Sequence, residues 1–181
     1  VGEVYGGADP GLVRRQVERI LSLDVDGSGF AEVGERDPVV RRLQERYPGL
    51  RPVLFYSPYE AAAWAIIGNR IRIVQAAKVK ARMAEELGPV VEIDGEKEHA
   101  FPGPTRLAHL EDFPGLFGRK VEYLRTVGRE AAEGKLNADY LRSMTADVAI
   151  WGLKKLPGIG DFSAELILLR GAGEPDYLPT N

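Results

Sequence analysis

The segment SPYEAAAWAIIG, residues 57–68, most constrains the fold of this chain. Ser57 followed by Pro58 is typical of a helix start, since serine caps the first N–H groups and proline fits the first turn. Between this start and Gly68, apolar side chains occupy every face of the helix, with Glu60 as the one charge. A helix of this kind is expected to be buried on all sides. The segment therefore predicts a central core helix.

Most of the remaining chain also predicts helices. Asp9-Pro10 and Asp37-Pro38 repeat the start signal of a capping residue and a proline. The stretch RIRIVQAAKVKARMAEELG predicts a long helix, and PVVEIDGEKEHAFPGP is irregular with room for a short extended piece. The fold class is thus mainly α. In the long helix, periodicity places four side chains inward: Ile73, Ala76, Val79 and Met83.

The two ends of the sequence suggest a portion of a longer chain. Val1 is not an initiator methionine, and VGEVY alternates like the last strand of a sheet. We therefore expect residues 1–8 to be a short N-terminal strand left from a small antiparallel sheet domain. Residues 9–181 are expected to form one helical domain, incomplete at its C-terminus.

Composition excludes several classes of protein. The 181 residues include no cysteine, which rules out disulfides, thiolate zinc sites and iron–sulfur clusters and fits a cytoplasmic location. The longest apolar run, AAAWAII, is too short to cross a membrane. His99 and His109 are isolated, so no metal site can be assembled from side chains. A net charge of −3 gives no general attraction for nucleic acid, so any such contact must be local.

One stretch, DVDGSGFAEVGE from Asp24 to Glu35, has the spacing of a calcium-binding EF-hand loop. Gly34 and then Pro38 interrupt the helix that should leave such a loop, and the sequence contains no second loop of this kind. A solvated turn between two helices is therefore favoured. A calcium-regulated interaction module remains the less favoured alternative.

The stretch LPGIGDFSA, residues 156–164, joins two expected helices through a turn with two glycines. Glycines permit positive φ and close approach of another backbone, and the second helix presents N–H groups that suit a phosphate. Ile159 is expected to plug the space between the helices, whereas Asp161 adds a negative charge at the helix start. Such a hairpin would hold a DNA backbone without reading its bases. An ordinary helix corner explains these residues equally well.

This hairpin resembles that of the helix-hairpin-helix DNA glycosylase superfamily, in its 3-methyladenine DNA glycosylase II (alkylpurine) type. The segments SPYEAAAWAIIGNRI, QAAKVKARMAEELG, FPGPTRLAHL and FPGLFGRKVEYLRTVGREAAEGKL are similar to that family in order and spacing. The likeness covers residues 57–181 and, more loosely, the preceding helices. It implies a two-lobed helical domain with the hairpin at residues 145–171.

The resemblance also implies a set of DNA-binding residues in the hairpin. A DNA phosphate would be held by Gly158, Ile159, Gly160 and Ser163. The family often binds a monovalent cation at the carbonyls of this turn, so such a cation is an option here, and no cofactor is required.

Two further positions follow from the resemblance. Asn69 and Arg70 lie where the family fills the gap left by a flipped nucleotide. Phe162 occupies the position of an aromatic residue that lines the pocket for the flipped base. Trp64 and Trp151, in contrast, lie on apolar helix faces and are expected to be core residues.

The resemblance implies excision of alkylated purines from duplex DNA by hydrolysis of the N-glycosidic bond. Branches that cleave the strand carry a lysine where this chain has Phe162, so an enzyme without lyase activity is expected. The catalytic acid of the family falls immediately after Asn181, and Asp176 matches an earlier acid with a structural role. A monomer acting on double-stranded DNA, with no membrane contact, is expected. The alternative is a non-catalytic protein that binds the DNA backbone through the hairpin.

Overall fold

The computed structural model describes residues 3, 4 and 7–179, and the chain divides into two compact units. The first unit covers Val1–Leu54 and the second covers Phe55–Asn181. The described part is mainly helical with one two-stranded antiparallel sheet, which confirms the expected fold class. Half of residues 1–8, where a strand is expected, lie outside the described residues. That strand and the boundary after residue 8 stay predictions.

The described residues of the first unit form three helices, and two of these begin where the sequence indicates. The Asp9 carboxylate accepts a hydrogen bond from the N–H of Leu12 at 2.7 Å, and the Asp37 carboxylate accepts one from the N–H of Val39 at 2.7 Å. Both aspartates therefore act as N-caps, with proline in the first turn. The helices are α1 (Pro10–Ile20), α2 (Phe30–Arg36) and α3 (Pro38–Arg46).

Arg51 forms hydrogen bonds at the start of the stretch that has EF-hand spacing. Its guanidinium donates to the carbonyl oxygen of Ser22 at 2.6 Å and to that of Val25 at 2.7 Å. The Ser22 hydroxyl donates in turn to the carbonyl of Pro52 at 2.7 Å. A cation of the chain itself thus binds carbonyls at this turn, which fits a connection between helices better than a calcium loop.

The second unit contains the remaining elements. Among the described helices of the whole chain, none combines the length and apolar character that a bilayer span requires. The last helix of the second unit changes from α-helical to π-helical hydrogen bonding, and this final turn is called the π segment below. The elements are α4 (Pro58–Gly68), α5 (Ile73–Leu87), β1 (Val90–Ile93), β2 (Glu96–His99), α6 (Pro104–Ala108), α7 (Lys120–Ala132), α8 (Ala138–Arg142), α9 (Ala146–Leu153), α10 (Asp161–Leu166) and the π segment (Ile167–Ala172).

Helix α4 is the centre of the core, as the sequence predicts. Residues 61–63 and the side chains of Ile66 and Ile67 are buried, and α4 packs against α5, α7 and the π segment. Gly171 permits the closest of these approaches, because a Cβ atom there would lie 2.8 Å from the Cα atom of Pro58. Central burial of α4 thus depends on small residues in its neighbours.

The inward face predicted for α5 is confirmed at three of four positions. Ala76, Val79 and Met83 are buried, but Ile73 is 71% exposed. Ile73 is the first residue of α5, so no preceding turn or neighbouring helix covers its side chain. Its predicted burial is wrong, and its exposure places it at the site described below.

The irregular segment after α5 forms a short hairpin. Strand β1 pairs with β2 in antiparallel register, with Val90 opposite His99 and Ile93 opposite Glu96. Asp94 and Gly95 at the turn both have positive φ, the conformation that two-residue hairpin turns require. The expected extended piece is therefore present, and both strands are exposed along their length.

Candidate nucleic-acid interface

The turn between α9 and α10 is a tight hairpin held by its own backbone. The N–H of Leu156 donates to the carbonyl of Leu153 at 3.0 Å, and the N–H of Ile159 donates to the carbonyl of Leu156 at 3.1 Å. The Ile159 side chain is buried in the core, as expected for a plug between the two helices. Only its backbone atoms are therefore available to a ligand.

The two glycines of the hairpin have different physical roles. Gly158 has φ of +89°, and a Cβ atom there would lie 2.5 Å from Cδ2 of Tyr123, so the fold itself requires glycine. Gly160 has φ of −96°, and a Cβ atom there would meet no atom within 4 Å. The absence of a side chain at Gly160 leaves open space where another molecule can approach the backbone.

Helix α10 begins without a side-chain cap. Gly160 is its N-cap residue, and the first helical hydrogen bond runs from the N–H of Ala164 to the carbonyl of Gly160 at 2.9 Å. The N–H groups before Ala164 consequently have no partner inside the helix, which suits an anion. Asp161 forms an ion pair with Lys154, which offsets its negative charge beside these donors.

The hairpin and the turn between α4 and α5 form the two sides of one cleft, called the hairpin cleft below. Its volume is about 460 Å³. It brings together five of the seven site residues expected from the sequence; Arg70 and Ile159 are not among its walls. The lining residues are Trp64, Ala65, Gly68, Asn69, Ile71, Ile73, Ala76, Gly158, Gly160, Phe162, Ser163 and Leu166.

The turn that carries Asn69 and Arg70 is held in an unusual backbone conformation. Arg70 has φ of +57°, a region that non-glycine residues seldom adopt and that is often found at functional sites. Its side chain is exposed and forms no ion pair among the described residues. Asn69 is exposed as well and lines the hairpin cleft. Both side chains are thus accessible to a ligand.

Lys120 forms a hydrogen bond just before this turn, and no sequence pattern indicates that contact. Its Nζ atom donates to the carbonyl of Ile67 at 2.8 Å, across 53 residues of sequence. Ile67 lies in the last turn of α4, where carbonyl groups lack helical partners and favour a positive charge. Partial burial lowers the pKa of the Lys120 ammonium. A lysine of α7 therefore caps the helix that leads into Asn69 and Arg70.

Phe162 provides the aromatic wall of the cleft. Its side chain is 70% exposed, although it belongs to a helix whose neighbouring residue Ala164 is fully buried. Ile71, Ile73 and Leu166 contribute further apolar surface to the same cleft. An exposed aromatic ring beside uncapped N–H groups allows a flat ring and a phosphate to be held close together.

The two tryptophans behave differently from each other. Trp64 is partly buried against the core and also lines the hairpin cleft. Trp151 is 64% exposed, and Nζ of Lys155 lies 3.2 Å from its ring centroid. The predicted burial of Trp151 is wrong, because α9 packs only through other positions such as Ala149 and Leu153.

A larger groove elsewhere in the second unit contains none of the expected site residues. Its volume is about 1140 Å³, and its walls include Tyr59, Trp64 and Phe101. Its charged groups Glu60 and Lys80 form an ion pair with each other. The groove lacks the unsatisfied N–H donors of the hairpin, so its size alone gives it no specific chemistry.

The described residues contain no group of three or more His, Asp or Glu side chains that could hold a metal ion. Asp176 is exposed in the loop after the π segment and is not among the residues that line the hairpin cleft. The position that the resemblance assigns to the catalytic acid follows Asn181, which itself lies outside the described residues.

Comparison with known proteins finds no matching family model. The chain is 28% identical over 169 residues to a DNA-3-methyladenine glycosylase of Bacillus subtilis, covering 91% of this chain and 56% of the relative. It is 32% identical over 145 residues to DNA-3-methyladenine glycosylase 2 of Escherichia coli K12, covering 76% of this chain and 50% of the relative. The chain thus spans about half the length of these curated relatives.

A solved structure extends this similarity to the fold. The 3-methyladenine DNA glycosylase from Archaeoglobus fulgidus superimposes with a TM-score of 0.76 at 27% identity, over 91% of this chain and 56% of that one. Sequence and fold similarity therefore point to the same family of proteins. The chain belongs to the helix-hairpin-helix DNA glycosylase superfamily, in its 3-methyladenine DNA glycosylase II type.

Proposed function

We propose that the protein is a base-excision repair glycosylase that removes alkylated purines of the 3-methyladenine kind from double-stranded DNA. The observation that carries the proposal is the hairpin cleft, where the uncapped start of α10 lies beside the exposed ring of Phe162. The names of the relatives support the same activity. The protein would act as a monomer and without lyase activity.

DNA would be held at the hairpin through its backbone. The N–H groups from Gly160 to Ser163 would donate to one phosphate, and the open space at Gly160 lets that phosphate come close. The Leu156 carbonyl accepts one hydrogen bond, from Ile159, and keeps a second lone pair. The turn therefore fits a monovalent cation as an optional ligand.

The damaged base would be turned out of the helix into the hairpin cleft. The ring of Phe162 offers a stacking surface, and an alkylated purine carries positive charge that favours the face of an aromatic ring. Asn69 lines the cleft and Arg70 follows it in the same turn, and both side chains would fill the space that the base leaves. Their exposure and the left-handed conformation of Arg70 suit insertion into DNA.

The reaction would be hydrolysis of the bond between the base and the sugar. As this bond breaks, its electron pair leaves with the base, and the positive charge on the sugar is stabilised by the carboxylate expected after Asn181. A water oxygen then bonds to the sugar carbon, and the water loses its proton to that carboxylate. Phe162 has no amine that could attack the sugar instead, so the strand would stay intact.

The test is release of free methylated base from methylated duplex DNA by the full-length protein. We expect the wild type to release the base without strand cleavage. The rate should fall about tenfold or more in Phe162→Ala, because stacking contributes about 1–3 kcal/mol per base. Phe117→Ala is the matched control, since Phe117 is 71% exposed and lies outside the hairpin cleft. It should retain the wild-type rate.

The same experiment decides between the proposal and its alternative. Binding of duplex DNA without release of any base would favour a non-catalytic protein that holds the backbone through the hairpin. Equal loss of activity in Phe117→Ala and Phe162→Ala would contradict the role of the hairpin cleft.

A further inference from the structure

A buried carboxylate on α10 has no role in the function proposed above. Glu165 is 5% exposed and does not line the hairpin cleft. Burial of an acid is costly unless its oxygens are hydrogen-bonded. Its Oε1 atom accepts a hydrogen bond from the hydroxyl of Tyr177 at 3.0 Å. The acid therefore links the second hairpin helix to the loop that follows the π segment.

Three contacts fix the course of that loop. Gly173 ends the π segment with φ of +76°, and the N–H of Glu174 donates to the carbonyl of Leu168 at 3.3 Å. The ring of Tyr177 packs against the core, and its hydroxyl reaches the buried Glu165 carboxylate. The loop is thus attached at its start by backbone hydrogen bonds and near its end by a tyrosine.

We propose that Glu165 and Tyr177 form a latch that positions the chain leaving the hairpin, and with it the catalytic carboxylate. This inference rests on the proposed function, in which that carboxylate follows Asn181. That position is the fifth after Tyr177 in the chain, and a free segment of this length can span up to about 17 Å. A displacement of a catalytic group by about 1 Å can lower the rate a hundredfold. The position of Tyr177, the nearest attached residue, therefore affects the position of the carboxylate. Glu165 and Tyr177 are positioning residues, since neither lines the cleft.

The test uses three variants of the full-length protein. Tyr177→Phe keeps the ring but removes the donor, and we expect the single-turnover rate of base release to fall about tenfold or more. Binding of undamaged duplex DNA should stay within about twofold, because the hairpin itself is unchanged. Glu165→Gln keeps an acceptor for the tyrosine hydroxyl and should retain most of the rate. Tyr140→Phe, at a half-exposed tyrosine on α8, is the matched control.

Amide hydrogen exchange of residues 174–179 tests the latch independently of activity. Tyr177→Phe should increase exchange in this loop by about tenfold or more without changing exchange in α4. Unchanged exchange would overturn the latch. Faster exchange with an unchanged rate in an active protein would overturn its positioning role. If the wild type releases no base, the proposed function and the positioning role both fail, while exchange still decides whether the latch exists.

Discussion

At the scale of single residues, the two glycines of the hairpin differ in their physical role. Gly158 matters for the stability of the fold, and Gly160 for access of a ligand to the backbone. Gly158 is required by its positive φ and by the ring of Tyr123, whereas Gly160 faces open space. A methyl group at Gly160 would therefore enter open space, where the proposed function places a DNA phosphate. The sequence motif alone does not distinguish the two glycines.

This difference predicts that alanine at Gly158 lowers stability, whereas alanine at Gly160 weakens DNA binding. Gly158→Ala should lower the free energy of unfolding by about 1–3 kcal/mol, because the residue must keep positive φ and displace Tyr123. Gly160→Ala should leave that free energy within about 0.5 kcal/mol but weaken DNA binding about tenfold or more. Chemical denaturation and fluorescence anisotropy with duplex DNA measure the two effects.

Gly152→Ala serves as the control for these substitutions. Gly152 lies in α9, and a Cβ atom there would meet no other atom within 4 Å. Alanine should stabilise this helix by about 0.5–1 kcal/mol and leave DNA binding unchanged. Full DNA binding by Gly160→Ala would remove the reason for placing a phosphate at the hairpin.

At the scale of secondary-structure elements, the contact between α7 and the end of α4 is decisive for the site. The ammonium of Lys120 satisfies the carbonyl of Ile67 just before the turn of Asn69 and Arg70. Because Ile67 is fully buried, a donor from the chain itself is better placed than water to satisfy its carbonyl group. The orientation of that turn consequently depends on a helix that is distant in sequence.

Replacing Lys120 by methionine should expose this dependence. Lys120→Met keeps a long apolar stem but removes the donor, so we expect a loss of about 1–3 kcal/mol in the free energy of unfolding. Exchange of the amides of Asn69 and Ile71 should also become faster. Lys78→Met, at an exposed lysine of α5, is the control and should change neither quantity. Equal behaviour of both variants would show that the Lys120 contact has no structural weight.

At the scale of the whole molecule, the hydrophobic core lies in one of the two units. Every buried apolar residue of the core cluster falls between Tyr59 and Ala172. Within the described residues of the first unit, the buried positions are Arg19, Ser22 and Gly34, and its helices are joined largely by polar contacts. The two units therefore differ in their source of stability.

Separate expression of the two units tests this difference. Residues 55–181 alone should unfold cooperatively with a free energy of about 5 kcal/mol or more, as expected for a domain of this size with its own core. Residues 1–54 alone should give the circular dichroism spectrum of a largely unfolded chain, because they lack apolar burial to offset conformational entropy. Cooperative unfolding of the shorter fragment would contradict this assignment.

Features that depend on neighbouring residues could be predicted from the amino-acid sequence. Local hydrogen bonding predicts where three helices begin, at Asp9, Asp37 and Ser57. Side-chain periodicity and the turn motif predict the burial of α4 and of the plug residue Ile159. The DNA-binding role of the hairpin and the role of Phe162 are expected from the family resemblance. These properties could be predicted because caps, turns and faces of a helix are set within a few residues.

Which of these surfaces meet depends on the packing of helices that are distant in sequence. Periodicity gives Ile73 and Trp151 an apolar face, but whether another helix covers that face depends on packing, and both side chains are exposed. The contacts of Lys120 with Ile67 and of Tyr177 with Glu165 join residues from different elements and leave no local signal. The cleft between the hairpin and the turn after α4 arises in the same way, because it exists only once distant helices share one core.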